Sequence, residues 1–448
     1  MKKEYDVIII GGSAAGVAAG ITARRHYPDR SILIIREQEK VSIPCGIPYI
    51  FGTVGSPENN LIPDGVLEKN NIDFVVQSVE SIDKKDKKVK TNNNAYNYNK
   101  LILATGSIPI TPPIHGIDLK NVFTIKKEIP YLTNLMHELE NVKDLIIVGG
   151  GFIGVEFADE SKKNRNINVS IIELLPKCCL STVYDDDACK EAEKILKGKG
   201  INIFANEKVV NIIGDKTVTA VKLESGKEIK ADMVILGVGS KPNTILAKAC
   251  DLEISKTTGG IKVDSRQQTS DVNIFACGDC AKKISFYNGK PSHLMLASIA
   301  TTEARIAGAN LFKMVRENNG VIGAFSTVIG ETAFAAAGIT ENMAKEYGYE
   351  VVTGVAEGPN RHPGGMPGMA NLKVKLVFNK ENMVILGGQI IGAKSGGELI
   401  NVVGACIQSK MTADQIALFQ TATHPALTAS PIAYQLVNAA EMAIKATK

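Results

Sequence analysis

The segment Ser42-Ile43-Pro44-Cys45-Gly46-Ile47-Pro48-Tyr49 sets a single cysteine among turn-forming residues. An ionised thiol is a nucleophile that can pass reversibly through a sulfenate or a mixed disulfide, so Cys45 is a candidate redox centre. Two histidines could exchange protons with such a sulfur: His362 in Arg361-His362-Pro363-Gly364-Gly365, and His424 in Thr421-Ala422-Thr423-His424-Pro425. Cys277 and Cys280 form a CxxC, but no second CxxC or histidine pair completes a tetrahedral zinc set, and no metal is expected. Cys178, Cys179, Cys189, Cys250 and Cys406 follow no partner pattern, and a buried cysteine usually acts as a small hydrophobe. Eight cysteines in 448 residues are too sparse for a disulfide scaffold, which points to a reducing, cytoplasmic setting.

A thiol of this kind needs a partner that supplies electrons, and the chain contains two copies of a unit suited to holding one. Each reads strand, glycine turn, helix, strand. In the first, Val7-Ile8-Ile9-Ile10 is a continuous apolar run fit for a parallel strand buried on both faces. Gly11-Gly12-Ser13-Ala14-Ala15-Gly16 follows, then a small-residue helix ending near Tyr27-Pro28-Asp29, then Ile32-Leu33-Ile34-Ile35 closing at Arg36-Glu37. In the second, Leu145-Ile146-Ile147-Val148 leads into Gly149-Gly150-Gly151-Phe152-Ile153-Gly154, a helix, and Val169-Ser170-Ile171-Ile172-Glu173.

Glycines tighten such a turn and let backbone N–H groups approach a pyrophosphate at the helix N-terminus, where the dipole favours an anion. An acid ~20 residues further on can hydrogen-bond a ribose diol. Glu173 lies 24 positions after Gly149 and fits that role; its charge would repel a 2′-phosphate, favouring NADH over NADPH. The first copy departs twice from the pattern. Ser13 replaces the middle glycine, and Arg36 stands where the acid is expected, leaving Arg36 and Glu37 as alternative ribose neighbours.

Three further segments extend the pattern: Leu101-Ile102-Leu103-Ala104-Thr105-Gly106-Ser107, the stretch from Thr269 to Gly278-Asp279, and Val234-Ile235-Leu236-Gly237-Val238-Gly239-Ser240. With the two glycine turns they resemble the fingerprints of the FAD and NAD(P) disulfide oxidoreductase superfamily, in the same order over the whole chain. The resemblance implies an α/β protein with two Rossmann-like dinucleotide-binding domains, for FAD and for NADH, and a C-terminal α+β dimerisation domain. Around FAD it implies Gly11, Gly12, Ser13, Ala14, Ala15, Gly16, Arg36, Glu37 and Pro44. Thr105, Gly106, Gly278 and Asp279 belong with them, Asp279 on the ribityl chain, and Ala297 opens a helix that caps the isoalloxazine edge. Gly149, Gly151, Ile153, Gly154, Glu156, Glu173 and Gly239 complete the cofactor-binding set.

In the dithiol members of this superfamily a second cysteine follows with four residues between; here that position is Ile50. The chain therefore resembles the single-cysteine branch of coenzyme A-disulfide reductases, NADH oxidases, NADH peroxidases and persulfide reductases. In the oxidases and peroxidases a histidine sits in the first glycine turn, where this chain has Ala14, which weighs against oxygen or peroxide as acceptor. Coenzyme A-disulfide reductases use two tyrosines of the C-terminal domain, and both are missing from the segments around His362 and His424. His424-Pro425 instead resembles the His-Pro of dithiol reductases, whose histidine protonates a leaving thiolate of the partner subunit; the glutamate that orients it there is Ala429 here. The implied reaction carries two electrons from NADH through FAD to Cys45 and on to a coenzyme A disulfide, a persulfide or polysulfide, or a related disulfide. Oxygen or peroxide is the alternative acceptor.

Length and composition agree with this scale. At 448 residues, with 44% hydrophobic and 22% charged, the chain has the make-up of a multidomain globular protein. A net charge of +4, from 51 basic and 47 acidic residues, gives little support to nucleic-acid binding. No window approaches the ~18 apolar residues of a membrane span, and the N-terminal apolar run reads as a first strand, not a leader. The expected division is an FAD domain at residues 1–112 and 246–324, an NADH domain at 113–245, and a dimerisation domain at 325–448, assembled as a homodimer. The dimerisation domain should contain strands 373–378 and 383–391 and helices 398–408 and 412–419.

Overall fold

Strand Glu4–Ile10 carries Val7, Ile8 and Ile9 with no exposed surface, and alternation along a strand sends these side chains to both faces. In the computed structural model, which describes residues 3–176 and 179–448, this strand lies inside a mostly parallel sheet. Its parallel neighbours are Ile32–Arg36, itself flanked by Asp73–Val76, and Ala95–Leu103. The end of Ala95–Leu103 pairs in parallel with Ile274–Ala276, while its beginning joins the antiparallel strands Lys88–Thr91 and Val79–Asp83.

One face of this sheet packs Ile8, Ile10, Leu33, Ile35, Leu101 and Leu103 into a core. The other packs Val7, Ile9, Ile32 and Ile34 against Ala19 and Ala23 of helix Ala14–His26 and Ala304 and Ala307 of helix Ala297–Asn310. Small residues let these two helices meet at backbone distance: a Cβ on Gly308 would stand 2.6 Å from the carbonyl oxygen of Ala19. This close pairing fixes how Ala297–Asn310 lies behind the first glycine turn.

Chain packing defines two compact units. One holds the residues up to Pro113, Phe123–Asn141 and Val238–Val321; the other holds Ile114–Val122, Val142–Gly237 and Ile322–Lys448. The second unit contains a parallel sheet with Ile201–Ala205, Asn168–Glu173, Asp144–Val148 and Met233–Leu236 side by side. It also contains an antiparallel sheet whose order is Ala324–Ile329, Thr332–Gly338, Ile385–Gly392, Asn371–Asn379, Val351–Pro359.

Helix Gln435–Lys445 lies directly on the last of these strands, for a Cβ on Gly354 would fall 1.8 Å from the Ala439 carbonyl oxygen. All four elements expected in the C-terminal domain are present with shifted ends: Asn371–Asn379 and Gly396–Gln408 extend beyond the sequence pattern, and the other two begin or end differently. Met383 adopts φ +57°, a turn conformation, so the strand begins at Ile385. The helix after Met411 is a single capped piece, Ala413–Ala417, whose Thr412 and Gln415 satisfy each other's backbone N–H, and an irregular chain follows it. Among the described residues no helix is long and apolar enough to cross a membrane.

Candidate functional site

Both glycine turns are built the same way. Gly11 N–H donates to the carbonyl of Ile35 at 2.8 Å, and Gly149 N–H donates to that of Ile172 at 2.8 Å, each tying the turn to the end of the next strand. Gly11 and Gly149 take φ of +120° and +105°, where a side chain is strained. A Cβ on Gly16 would stand 1.8 Å from the Gly11 carbonyl oxygen, and one on Gly154 1.9 Å from that of Gly149. Ser13 and Gly151 are the N-caps of the two following helices, and neither offers a side-chain cap, so first-turn amides are left for an anion. These cradles fit dinucleotide pyrophosphates. Ala14 and Ala15 open the first helix, and Ile153, 40% exposed, stands on the second.

This equivalence aligns Arg36 with Glu173, since each follows the residue whose carbonyl holds the turn. Glu173 accepts from Gly150 N–H at 2.5 Å and from Leu175 N–H at 2.7 Å, and it underlies Gly150, where a Cβ would meet Glu173 Oε2 at 2.9 Å. Arg36 likewise lies beneath Gly12, where a Cβ would meet its Cδ at 2.7 Å. The buried Arg36 guanidinium grips Asp64 through both terminal nitrogens, at 2.5 and 2.8 Å, and stacks on Phe74. Glu37 is exposed and accepts the Ser78 hydroxyl at 2.9 Å. Glu156 turns toward strand Ala324–Ile329, where its Oε1 accepts from the Thr327 hydroxyl at 2.8 Å.

Behind the first turn, Thr105 Oγ1 donates to the Asn243 carbonyl at 2.7 Å, and Asn243 N–H donates back to Gly106 at 2.9 Å. Gly239, at φ +93°, precedes strand Ser240–Pro242, which pairs with Ser107–Pro109. Gly278 takes φ +77°, and Asp279 accepts the Ser107 hydroxyl at 2.8 Å. Two residues that the motifs did not single out hold this turn. Gly278 N–H donates to Glu303 Oε2 at 2.9 Å, and Lys283 Nζ donates to the Gly278 carbonyl at 2.7 Å. Glu303 is 1% exposed, and burial, opposed by Lys283, pushes its carboxyl up to about 7. The available signal was an acid inside the apolar stripe of helix Ala297–Asn310, with Ala300, Ala304 and Ala307 at its helical spacing. Cys277 and Cys280 are buried beside it, and burial raises both thiols, which keeps them protonated and unreactive.

Cys45 is exposed on the one-turn helix Pro44–Gly46. The turn is held on both sides: Ser42 Oγ donates to the Lys127 carbonyl at 2.7 Å, while Ile43 exchanges hydrogen bonds of 2.9 Å with the backbone and side chain of Asn60. Gly46 packs against Asn60 so closely that a Cβ would fall 2.0 Å from Asn60 Oδ1. Ile50 has no exposed surface and is part of the core.

The C-terminal histidines, separated by 62 positions, meet in one loop cluster. His362 N–H donates to the Pro425 carbonyl at 3.2 Å, and its Nδ1 faces the Thr428 carbonyl at 3.1 Å. A carbonyl only accepts, so His362 carries its proton on Nδ1. His424 Nδ1 accepts from Ala426 N–H at 3.2 Å, which places the proton of neutral His424 on Nε2. The two rings thus adopt opposite tautomers. Ala429 is buried at 5% exposure. Cys178 lies outside the described residues, and among those described no group of three or more His, Cys, Asp and Glu converges as a metal site.

Two dinucleotide cradles and an exposed cysteine define a flavin- and nicotinamide-linked oxidoreductase. Residues 5–304 match the model of the pyridine nucleotide-disulphide oxidoreductase family, and residues 324–433 match its dimerisation domain, so the chain belongs to this family. Its relatives include an "NADH oxidase" of Methanocaldococcus jannaschii, 31% identical over 98% of both chains. Another is an "NAD(P)H sulfur oxidoreductase (CoA-dependent)" of Pyrococcus furiosus, 32% identical over 87% of this chain and 88% of that one. The solved NAD-dependent persulfide reductase from A. fulgidus superposes with a TM-score of 0.89 at 29% identity, covering 98% of this chain and 83% of the other. The protein is an NADH-dependent flavoprotein oxidoreductase of this group.

Proposed function

We propose that the protein reduces a small disulfide or persulfide, of the coenzyme A disulfide or polysulfide kind, with Cys45 as the sulfur through which electrons leave. The observation that carries this reading is the exposed Cys45 on its tethered turn with core residue Ile50 where a second thiol would stand, so that position 50 supplies no disulfide partner and Cys45 is open to an external sulfur. When bound, FAD accepts hydride from NADH and delivers an electron pair to sulfur. The Cys45 thiolate attacks one sulfur of RS–SR, forming the Cys45–SR bond and breaking the RS–SR bond, and RS⁻ leaves. Two electrons then cleave Cys45–SR, regenerating the Cys45 thiolate and releasing a second RS⁻. With two protons taken up by the thiolates, one disulfide and one NADH plus a proton give two thiols and NAD⁺.

In a homodimer, His424 of one protomer serves Cys45 of the other, its Nε2 proton going to the leaving thiolate; His362 anchors the same loop. Gly11 to Gly16, Thr105, Gly106, Pro44, Gly278, Asp279 and Ala297 serve FAD, and Arg36, as the counterpart of Glu173, lies under its ribose while Glu37 faces away. Gly149, Gly151, Ile153, Gly154, Glu156, Glu173 and Gly239 serve NADH. The reduced thiols Cys250, Cys277, Cys280 and Cys406 suit the cytoplasm.

The relative named NADH oxidase makes oxygen the competing acceptor, and Ala14, where a histidine would assist oxygen chemistry, speaks for sulfur. The test is anaerobic reduction by NADH followed by reoxidation with coenzyme A disulfide, polysulfide, peroxide and oxygen in turn. A sulfur acceptor should react fastest; faster turnover with oxygen or peroxide would overturn the reading.

A further inference from the structure

We propose that Glu303 and Lys283 form a charged clasp that holds the Gly278–Asp279 turn in its FAD-binding position and sets the protein's affinity for FAD. The inference rests on reading that turn as part of the FAD site. Gly278 is gripped at both ends: its N–H donates to Glu303 Oε2 at 2.9 Å, and its carbonyl accepts from Lys283 Nζ at 2.7 Å. The two charges stand 3.5 Å apart, which joins the grips into one unit, and Lys283 also donates to Ala281 at 3.1 Å. Rotation of the Gly278 peptide would re-aim the next residue, Asp279, whose Oδ2 already takes the Ser107 hydroxyl. The turn has little room to move, because a Cβ on Gly278 would meet Ala15 at 3.0 Å and Ala300 at 3.4 Å.

Packing alone does not account for this pair. Lys283 is 4% and Glu303 1% exposed, and a buried ion pair commonly adds no stability over apolar side chains of the same volume. Glu303 Oε1, moreover, is buried with no hydrogen-bond partner. Burial, the largest influence, and Asp279 oppose ionisation of Glu303, Lys283 and the Gly278 N–H favour it, and the balance puts the carboxyl at about 7. The clasp therefore charges across neutral pH. Ionised Glu303 makes a charge-assisted bond to Gly278 and pairs with Lys283, so the turn is held more firmly as pH rises. Glu303 is thus a positioning residue that acts on FAD through Gly278 and Asp279.

The test is FAD titration of flavin-stripped protein, followed by flavin fluorescence at about pH 6, 7 and 8, with wild type and Glu303→Gln compared. Wild-type affinity should rise roughly tenfold across this range, the scale of one charge-assisted hydrogen bond. Glu303→Gln retains an oxygen for Gly278 but no charge for Lys283; at about pH 8 it should bind FAD roughly tenfold more weakly, with the pH dependence lost. Lys283→Met gives the same readout if the glutamine variant does not fold. A flat wild-type profile, or folded variants that keep both the affinity and the slope of wild type, would overturn the clasp. Failure of wild type itself to bind FAD at any pH would overturn the reading of the site beneath it.

Discussion

Glu173 holds the second glycine turn and, in the proposed NADH site, would also face the ribose. Its oxygens accept from the N–H groups of Gly150 and Leu175, which fixes the carboxylate at the mouth of the second glycine turn while leaving lone pairs for a ribose diol. Glu173→Arg should lower kcat/KM for NADH by roughly 10- to 100-fold and raise it for NADPH. An unchanged NADH to NADPH ratio would mean that Glu173 does not touch the ribose. Its position was legible in the sequence because both glycine turn and acid lie within one local unit. Arg36 was legible only as a departure, since the residue that neutralises it, Asp64, lies 28 positions away on a separate loop. Glu303 and Lys283, 20 positions apart, are joined only by the fold and belong to no local motif.

Among the elements, the Pro44–Gly46 turn is held on both sides, and its glycine is required by contact and not by an unusual backbone angle. Gly46→Ala would drive a methyl into Asn60, so the turn or Asn60 must shift, at a cost of about 1–3 kcal/mol. A lower melting temperature and an altered rate of Cys45 alkylation are expected; both unchanged would show that the turn yields freely. The strands of the two glycine units were readable because their apolar runs are continuous, as burial on both faces demands. The C-terminal helices were readable in place but not in extent: Thr412 announces a start, whereas the chain after Ala417 carries apolar Leu418 at 81% exposure, and pattern alone does not tell an exposed apolar residue from a helical one. The cluster joining His362 to His424 was beyond reach, since a backbone bond from His362 to Pro425 makes it.

At the scale of the molecule, Glu303 links stability to pH. Its carboxyl rises from 4.5 to about 7 on folding, so the folded chain holds this proton more tightly than the unfolded one. The resulting stability is fully present below the unfolded value and is lost as pH rises through about 7, by on the order of 3 kcal/mol. Flavin-free Glu303→Gln should therefore show a smaller fall in melting temperature between about pH 5 and 8 than wild type; an equal fall would place the proton elsewhere. The shared-site dimer predicts that sedimentation will find the active species dimeric, and a fully active monomer would contradict it. The central claim is that electrons leave through Cys45, and the most direct measurement is the two half-reactions of Cys45→Ser followed anaerobically in a stopped-flow instrument. The account predicts flavin reduction by NADH at close to the wild-type rate and reoxidation by a sulfur acceptor slowed at least about a hundredfold, the scale for losing a covalent nucleophile. Reoxidation by that acceptor at the wild-type rate would contradict it.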